Sequence, residues 1–203
     1  MEKRTTDSKQ RILESAACLF SEKGYAATSV RDIADSAQVN VASINYYFSS
    51  KERLWVELLV QALDCLNEKF REIDCEKTKD FSDLIDQMYL ILKKNHNMIM
   101  NIMRIAMSQE AKDIDKHGLD QEILFTPPGS KIIVEYLRRA LPTTPKKIDQ
   151  QWVVQGICAT LYHSIKIMCS PFASSHSEHP MFDEKQIRKN LKRSAKLYFD
   201  ALS

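Results

Sequence analysis

Long stretches of helical apolar periodicity, with few residues that end helices, constrain the fold of this chain most strongly. Only four glycines and six prolines occur among 203 residues, whereas sheets need frequent turn residues. Residues 7–23 show the pattern clearly, with one apolar helix face formed by Ile12, Leu13, Ala16, Leu19 and Phe20. We therefore predict an all-α fold of about nine helices.

Composition narrows the class of protein further. No apolar run approaches the roughly 20 residues of a membrane-spanning helix, and the polar N-terminus MEKRTTDSKQR has no apolar signal-peptide core. We expect a cytoplasmic protein that does not bind membranes. The five cysteines form no CxxC pair, which argues against a disulfide framework. The net charge is only +2, so any nucleic acid must be bound by a local surface.

Short helices are predicted after the first one. A second helix begins near Thr28, whose side chain is expected to cap it, and ends at about Ser36. A turn through Ala37-Gln38-Val39 leads to a third helix at roughly 40–47, and Ser49-Ser50 precede a long fourth helix. Longer helices are predicted near 80–95, 97–112, 119–140, 148–169 and 183–202, the third of them interrupted at Pro127-Pro128-Gly129.

Two short helices joined by a tight turn and flanked by longer ones form a helix-turn-helix unit. The second helix of such a unit docks in the major groove of DNA. Ile44 and Phe48 are expected to anchor this helix, although the spacing of Val41 to Ile44 would also permit its burial. The side chains expected to face the bases are Asn40, Val41, Ala42, Ser43 and Asn45.

Residues beside this helix are suited to phosphates. Hydroxyl donors and cations fix the register of a protein on the duplex, and a helix N-terminus beside a cation binds anions. The alternative is a helical bundle whose tyrosines only pack, and a net charge of +1 across residues 1–55, from eight basic and seven acidic residues, favours that alternative. The candidate phosphate contacts are Thr28, Arg31, Tyr46, Tyr47 and Lys51.

The segment from Arg11 to Leu58 resembles the DNA-binding domain of the TetR/AcrR family of bacterial transcriptional regulators. The matching stretches are RILESAACLFSEKGYAATSVRDIA, AQVNVASINYYF and SSKERLW. The resemblance implies backbone contacts at Thr28, Tyr46 and Lys51, and a recognition helix over 40–45. It also implies a DNA-binding domain at 7–67 and a larger helical ligand-binding and dimerisation domain at 68–203.

Two positions depart from the family's pattern. Gln38 stands where a turn glycine is common, and a positive φ there would cost about 1 kcal/mol. Asn45 stands where the common Tyr-Tyr-His-Phe pattern has a ring, because this chain has Asn45-Tyr46-Tyr47-Phe48. We expect Asn45 to contact a base.

Two groups of residues in the C-terminal part carry interface and pocket predictions. The last two long helices present candidate dimer contacts, with packing inside the chain as the alternative; they are Trp152, Gly156, Thr160, Ile187, Leu191 and Tyr198. A methionine-rich set is predicted to line a pocket for a small apolar or amphipathic effector, although methionines also fill ordinary cores. That set is Met88, Tyr89, Met100, Met103, Met107, Phe125, Tyr162 and His163.

Other candidate sites are weaker. His176, His179 and Cys169 do not complete a four-ligand metal set, and no nucleophile–base pattern occurs, so we expect no metal, no cofactor and no catalytic residue. A basic row on the last helix is expected to be solvated, with contact to DNA or membrane as the alternative. The row comprises Arg188, Lys189, Lys192, Arg193 and Lys196.

These observations together predict a sequence-specific DNA-binding regulator. The chain is expected to be a homodimeric repressor that a small-molecule effector releases from a palindromic double-stranded DNA operator, and to associate with the nucleoid when bound. Two alternatives belong to other classes: an architectural or protein-binding role without a small ligand, and an enzyme.

Overall fold

The computed structural model describes residues 2–100 and 126–202, with side chains from Asp7 onward, and these residues form helices, turns and loops without a strand. The predicted all-α fold is confirmed. The described residues divide into two compact units, one of residues 2–62 and one of residues 63–100 and 126–202.

The first unit contains three complete helices and the start of a fourth. α1 begins at Glu2, before the predicted Asp7. The helices are α1 (Glu2–Lys23), α2 (Val30–Ala37), α3 (Val41–Phe48) and α4 (Lys51–Arg71), and α4 continues into the second unit.

Each helix contributes at least one apolar residue to the core of the first unit. Ile12, Ile33, Ile44 and Leu54 are fully buried, and Trp55 is buried beside them. Full burial of each such side chain contributes about 1.5–3 kcal/mol. The core therefore holds the short helices α2 and α3, which are too short to be stable alone.

The second unit contains the remaining helices. Asp80 begins the first of them by accepting a hydrogen bond from Asp83 N at 2.8 Å, and residues 96–100 are also helical. The elements are α5 (Phe81–Lys94), α6 (Ser130–Ala140), α7 (Lys147–Met168), α8 (Pro171–Ser175), a 3-10 turn (Pro180–Phe182) and α9 (Glu184–Asp200).

Proline and serine set several boundaries in this unit. The interruption predicted at Pro127-Pro128-Gly129 is confirmed, because α6 begins at Ser130. No helix is predicted between residues 169 and 183, but this segment contains α8, where Ser170 Oγ accepts from Ala173 N at 3.1 Å. Most of the helix predicted at 97–112, and the first part of that at 119–140, lie outside the described residues.

A buried carboxylate joins α5 to α9. Asp86 accepts hydrogen bonds from Arg188 Nε at 2.8 Å and Nη2 at 2.7 Å, and Lys192 Nζ lies 3.1 Å away. The Arg188 hydrogen bonds hold the pKa of this carboxyl below its usual range. Two members of the predicted basic row are thus paired inside the unit, while Lys189, Arg193 and Lys196 are exposed. None of the described helices has the length and apolar character needed to cross a bilayer.

Candidate nucleic-acid interface

α2 begins with a reciprocal cap. Ser29 Oγ accepts from Asp32 N at 3.0 Å, and Asp32 Oδ2 accepts from Ser29 N at 2.8 Å, which satisfies two otherwise unpaired donors. The hydrogen bond from the Ser29 backbone lowers the pKa of Asp32. The prediction that Thr28 caps this helix is therefore wrong by one residue, because Ser29, directly before Val30, has the extended cap conformation and accepts the bond from Asp32 N.

The turn between α2 and α3 requires a left-handed residue. Gln38 has φ 54° and ψ 48°, and its N–H donates to Asp35 O at 3.2 Å. Val39 N donates to Ala34 O at 3.0 Å and closes the turn. A residue with a Cβ is strained in this conformation by about 1–2 kcal/mol, so the cost stated above for a positive φ applies to Gln38.

Gln38→Gly should raise the free energy of unfolding of the first unit by about 0.5–1 kcal/mol, since relief of strain exceeds the extra entropy of glycine in the unfolded chain. Urea denaturation can be followed by the fluorescence of the buried Trp55 in a Trp152→Phe background, which removes the other tryptophan. Gln38→Ala keeps the Cβ and should leave the stability nearly unchanged. Equal gains in both variants would exclude backbone strain as the cause.

α3 is anchored on one side and exposed on the other. Ile44 is 0% and Phe48 is 4% exposed, which confirms both as the residues that hold the helix down. Asn40 lies just before α3, and its Oδ1 accepts from Ala42 N at 2.9 Å. This cap uses the carbonyl oxygen that Asn40 would need for a bidentate contact with adenine, so only its amide nitrogen remains available to DNA.

The outward face of α3 carries small or polar side chains that are exposed or half-buried. Asn45 and Ala42 are exposed, Val41 and Ser43 are half-buried, and the Asn45 amide has no hydrogen-bond partner among the described residues. The major groove admits an α-helix, and small side chains on its exposed face can then reach base edges. The structure therefore presents four of the five predicted base-facing residues on one helix and uses Asn40 as its cap.

Two tyrosines end this face. Tyr46 is 80% exposed, and its ring contacts that of Tyr47 edge to face, with centroids 5.1 Å apart. Tyr47 is half-buried and also lies against Phe48, at 6.2 Å between centroids. Arg31, in the first turn of α2, is exposed and has no ion-pair partner in the described part of the chain. The side chains of Tyr46 and Arg31 are thus available to phosphates, and the ring of Tyr47 packs against that of Tyr46.

Thr28 is placed differently from the prediction. It is 1% exposed, and its hydroxyl donates to Gly24 O at 2.8 Å, with Leu19 O at 3.3 Å. A hydroxyl that is buried and hydrogen-bonded internally cannot also donate to phosphate without leaving its site. The expectation that Thr28 contacts the DNA backbone is therefore corrected: the residue fixes the chain between α1 and α2.

Lys51 is half-buried, and its ammonium group contacts two backbone carbonyls of the first unit. Its Nζ donates to Tyr25 O at 3.1 Å and Thr28 O at 3.0 Å, and it lies 4.1 Å from the centroid of the Tyr25 ring. An ammonium carries three N–H donors, and the residue is half-buried at the first position of α4. One donor and the charge therefore remain for a phosphate at this helix N-terminus.

Tyr25 contacts both α1 and α4, and no sequence pattern predicted these contacts. Its hydroxyl donates to Glu52 Oε1 at 2.9 Å, and its ring lies 5.3 Å from Trp55 and 5.4 Å from Phe20. Hydrogen bonds lower the pKa of Glu52. The largest effect comes from the backbone N–H of Glu52 itself, and hydroxyls that include that of Tyr25 add to it. An aromatic residue directly after Gly24, at the end of an apolar helix, is the signal that could have identified it.

The described members of the predicted pocket do not form one lining. Met88 and Tyr89 are fully buried in the core of the second unit, Met100 is half-buried, and His163 is exposed, so the assignment of His163 to an internal pocket is corrected. Tyr162 is half-buried and donates to Pro128 O at 2.7 Å. Met103, Met107 and Phe125 lie outside the described residues.

The predicted dimer residues fall into two groups. Trp152 is 56% exposed, and Thr160, Ile187 and Tyr198 are half-buried. Leu191 is 3% exposed and packs inside its own protomer, so its assignment to a dimer interface is corrected. Gly156 lies under Tyr198 of the same chain, since a Cβ there would overlap the tyrosine ring.

A different apolar surface is exposed on these helices. Ile148 is 68% and Leu197 is 65% exposed, and neither was predicted. Ile148 lies one turn before Trp152 on α7, while Leu197 is adjacent to Tyr198, whose ring contacts that of Trp152 at 5.0 Å. We refer to the three exposed apolar residues of these two helices, Ile148, Trp152 and Leu197, as the apolar patch.

The histidine-containing segment has ordinary local contacts. His179 Nδ1 accepts from Met181 N at 3.2 Å, and the His176 ring stacks on Phe172 with centroids 4.3 Å apart. Across residues 2–100 and 126–202, no three His, Cys, Asp or Glu side chains are grouped so as to hold a metal ion.

Comparison with known proteins identifies the first unit. Residues 12–58 match the sequence model of the family described as bacterial regulatory proteins, tetR family. The match covers α2, α3, their turn and the flanking parts of α1 and α4, so the similarity to the tetR family lies in the helix-turn-helix region.

Curated relatives are similar to this chain mainly in the same region. The "Probable HTH-type transcriptional regulator YttP" of Bacillus subtilis is 38% identical over 94 residues, 44% of each chain. The HTH-type transcriptional repressor KstR2 of Mycobacterium tuberculosis is 47% identical over 62 residues, which is 30% of this chain and 31% of KstR2. The similarity thus spans less than half the length of these relatives.

A solved structure extends the comparison to the fold of the whole chain. The crystal structure of a TetR family transcription regulator from Marinobacter aquaeolei VT8 superposes with a TM-score of 0.64 and 14% identity, covering 100% of this chain and 98% of the other. Likeness at this identity establishes the shared helical fold.

Proposed function

We propose that this protein is a homodimeric transcriptional repressor of the TetR family whose two α3 helices enter successive major grooves of a palindromic operator. The observation that carries the proposal is the exposed polar face of α3, with Asn45 uncommitted and Tyr46 80% exposed, on a helix held rigidly by Ile44 and Phe48. A docked helix needs such an anchored side and such an open side. KstR2 is named as a repressor, which supports repression as the mode of action.

The apolar patch supports dimerisation. A cluster of large apolar side chains at this exposure is typical of protein–protein contacts, and helices α7 and α9 of two copies can form a four-helix interface around a two-fold axis. A dimer also makes twice as many phosphate contacts as a monomer, because each subunit contributes its own. This offsets the low net charge of +1 across residues 1–55 of each subunit.

Release of the operator is proposed to follow effector binding to the second unit. An effector shifts the protein between DNA-bound and released geometries only to the extent that it binds one of them more tightly. A tenfold difference in affinity corresponds to about 1.4 kcal/mol of coupling. The protein would act on nucleoid DNA in the cytoplasm.

Substitutions of Lys51 and Tyr46 test the backbone contacts. Lys51→Ala should weaken binding to all duplexes and reduce the magnitude of the salt slope by about 1 per subunit, because one phosphate contact is lost. Tyr46→Phe removes only a hydroxyl donor, so it should weaken all duplexes and leave the slope unchanged. Fluorescence anisotropy on operator and scrambled DNA at several salt concentrations measures both quantities.

A loss of folding must be separated from a loss of contact in this experiment. Lys51 also holds Tyr25 and Thr28, so the thermal midpoint of each variant is measured alongside, and Lys51→Arg serves as the charge-retaining control. An unchanged salt slope in a folded Lys51→Ala protein would contradict the assignment of Lys51 to phosphate.

A further inference from the structure

A cleft of about 480 Å³ lies in the second unit, between the end of α4, the residues that follow it and the start of α6. Its floor is apolar: Phe70 is 2%, Ile132 is 7% and Ile73 is 8% exposed. Asn67 Oδ1 accepts from Gly129 N at 3.1 Å and joins the two walls. The volume is within the range of small-molecule sites, about 300–1,000 Å³.

Each carboxylate that lines the cleft is already paired. Glu135 accepts from Arg139 Nη2 at 2.8 Å, and Glu76 lies 3.8 Å from Arg139 Nη1. Asp74 pairs with Lys77 Nζ at 2.9 Å. A cationic ligand would therefore have to displace an existing cation to find a carboxylate here.

One cation of the lining makes no ion pair with a described residue. Arg139 is engaged by the two glutamates, and Arg71 pairs with Glu68. Lys131 is exposed in the first turn of α6 and has no ion-pair partner among the described residues. The cleft thus combines one unpaired positive charge with an apolar floor.

We propose that this cleft binds an amphipathic monoanion, an aliphatic carboxylate, whose head group pairs with Lys131 while its chain covers Phe70, Ile73 and Ile132. An apolar floor with a few placed polar groups is the usual composition of a ligand site, and a charge-assisted hydrogen bond to Lys131 orients the ligand. The site differs from the predicted methionine pocket, none of whose described members lines this cleft. Its role as the effector site rests on the proposed function, whereas the binding itself does not.

Cys75 provides a reporter inside the cleft. It is half-buried and lines the cleft, whereas Cys18 and Cys65 are exposed outside it. Burial, followed by the nearby Glu135 carboxylate, raises the pKa of the Cys75 thiol, which lowers the fraction of reactive thiolate at neutral pH. Mass spectrometry of peptides then gives the alkylation rate of each cysteine separately within the same sample.

The experiment measures iodoacetamide alkylation of the full chain with octanoate, 1-octanol or octylammonium as probes. Saturating octanoate should slow alkylation of Cys75 at least about fivefold and leave Cys18 and Cys65 unchanged, because only Cys75 would be covered. Lys131→Gln should raise the half-protecting octanoate concentration about tenfold, the value of one charge-assisted hydrogen bond. Lys94→Gln removes an exposed lysine outside the cleft and should change nothing.

Several results would overturn the proposal. They are no protection of Cys75 by octanoate, equal slowing of all three cysteines, equal protection by octanol or octylammonium, or an unchanged midpoint in a folded Lys131→Gln variant. DNA affinity with and without octanoate is measured separately. Failure of the protein to bind DNA would leave the alkylation result intact, so the site and the proposed function are tested independently.

Discussion

Leu197→Asp should convert the proposed dimer to a monomer and lower the affinity for a two-half-site operator at least about a hundredfold. Leu197 is a 65% exposed apolar side chain on α9, and a carboxylate placed in the proposed interface would lose its water without gaining a partner. A monomer then engages one half-site at a time. Light scattering coupled to gel filtration measures the mass, and anisotropy measures the affinity.

Met181→Asp is the matched control for this substitution. Met181 is 58% exposed but lies in the 3-10 turn before α9, outside the apolar patch, so the same change of charge should leave both mass and affinity unaltered. A Leu197→Asp protein that remains dimeric would contradict the assignment of the patch to the dimer interface. Monomers of both variants would indicate general sensitivity to charge.

Asn45→Ala should lower the affinity for the preferred operator about tenfold to a hundredfold and change the affinity for scrambled DNA less than about twofold. A good bidentate contact to a base contributes about 1–3 kcal/mol of discrimination, and the exposed Asn45 amide is not engaged elsewhere among the described residues. Anisotropy titrations on the two duplexes, at one salt concentration, separate base contacts from backbone contacts.

Asn40→Asp is the control for Asn45→Ala. It keeps the side-chain oxygen that caps α3 through Ala42 N, so the helix should remain folded, while the added carboxylate should repel phosphates and weaken operator and scrambled duplexes alike. Equal losses on operator and scrambled duplexes for Asn45→Ala would assign Asn45 to the DNA backbone and contradict its role in base recognition.

Local sequence patterns were sufficient to predict the helix-turn-helix unit. The apolar spacing of Ile44 and Phe48 identified the buried side of α3, and the turn residues placed Gln38 correctly. Local patterns failed where two similar residues compete, since Thr28 and Ser29 both carry hydroxyls. Only the backbone conformation shows that Ser29 caps α2 and that the Thr28 hydroxyl bonds backwards to Gly24 O.

Contacts between residues distant in sequence could not be predicted. Lys51 contacts the carbonyl of Tyr25, 26 residues earlier, and no periodicity in either segment indicates that pair. The same limit applies to α9, whose apolar residues cover more than one face. The sequence alone cannot show that Leu191 is buried while Leu197 is exposed, because both occur at spacings that suit a helix–helix contact.

The cleft beside Lys131 illustrates the limit for ligand sites. Its walls come from the end of α4 and the start of α6, separated by about sixty residues of sequence, as the hydrogen bond between Asn67 and Gly129 shows. Methionine content pointed instead to Met88, which the structure places in the core. Polarizable residues indicate adaptable packing, and they do not by themselves distinguish a pocket from a core.

Selection of bound sequences from a random duplex library, with the wild-type protein and with Asn45→Ala, tests the central claim most directly. The wild type should enrich a palindrome whose half-site centres lie about 10–10.5 base pairs apart, or a multiple of that spacing. Asn45→Ala should alter the preferred base only at positions related by the two-fold axis. An identical enriched sequence for both proteins, or no enriched sequence for the wild type, would contradict recognition of DNA by the exposed face of α3.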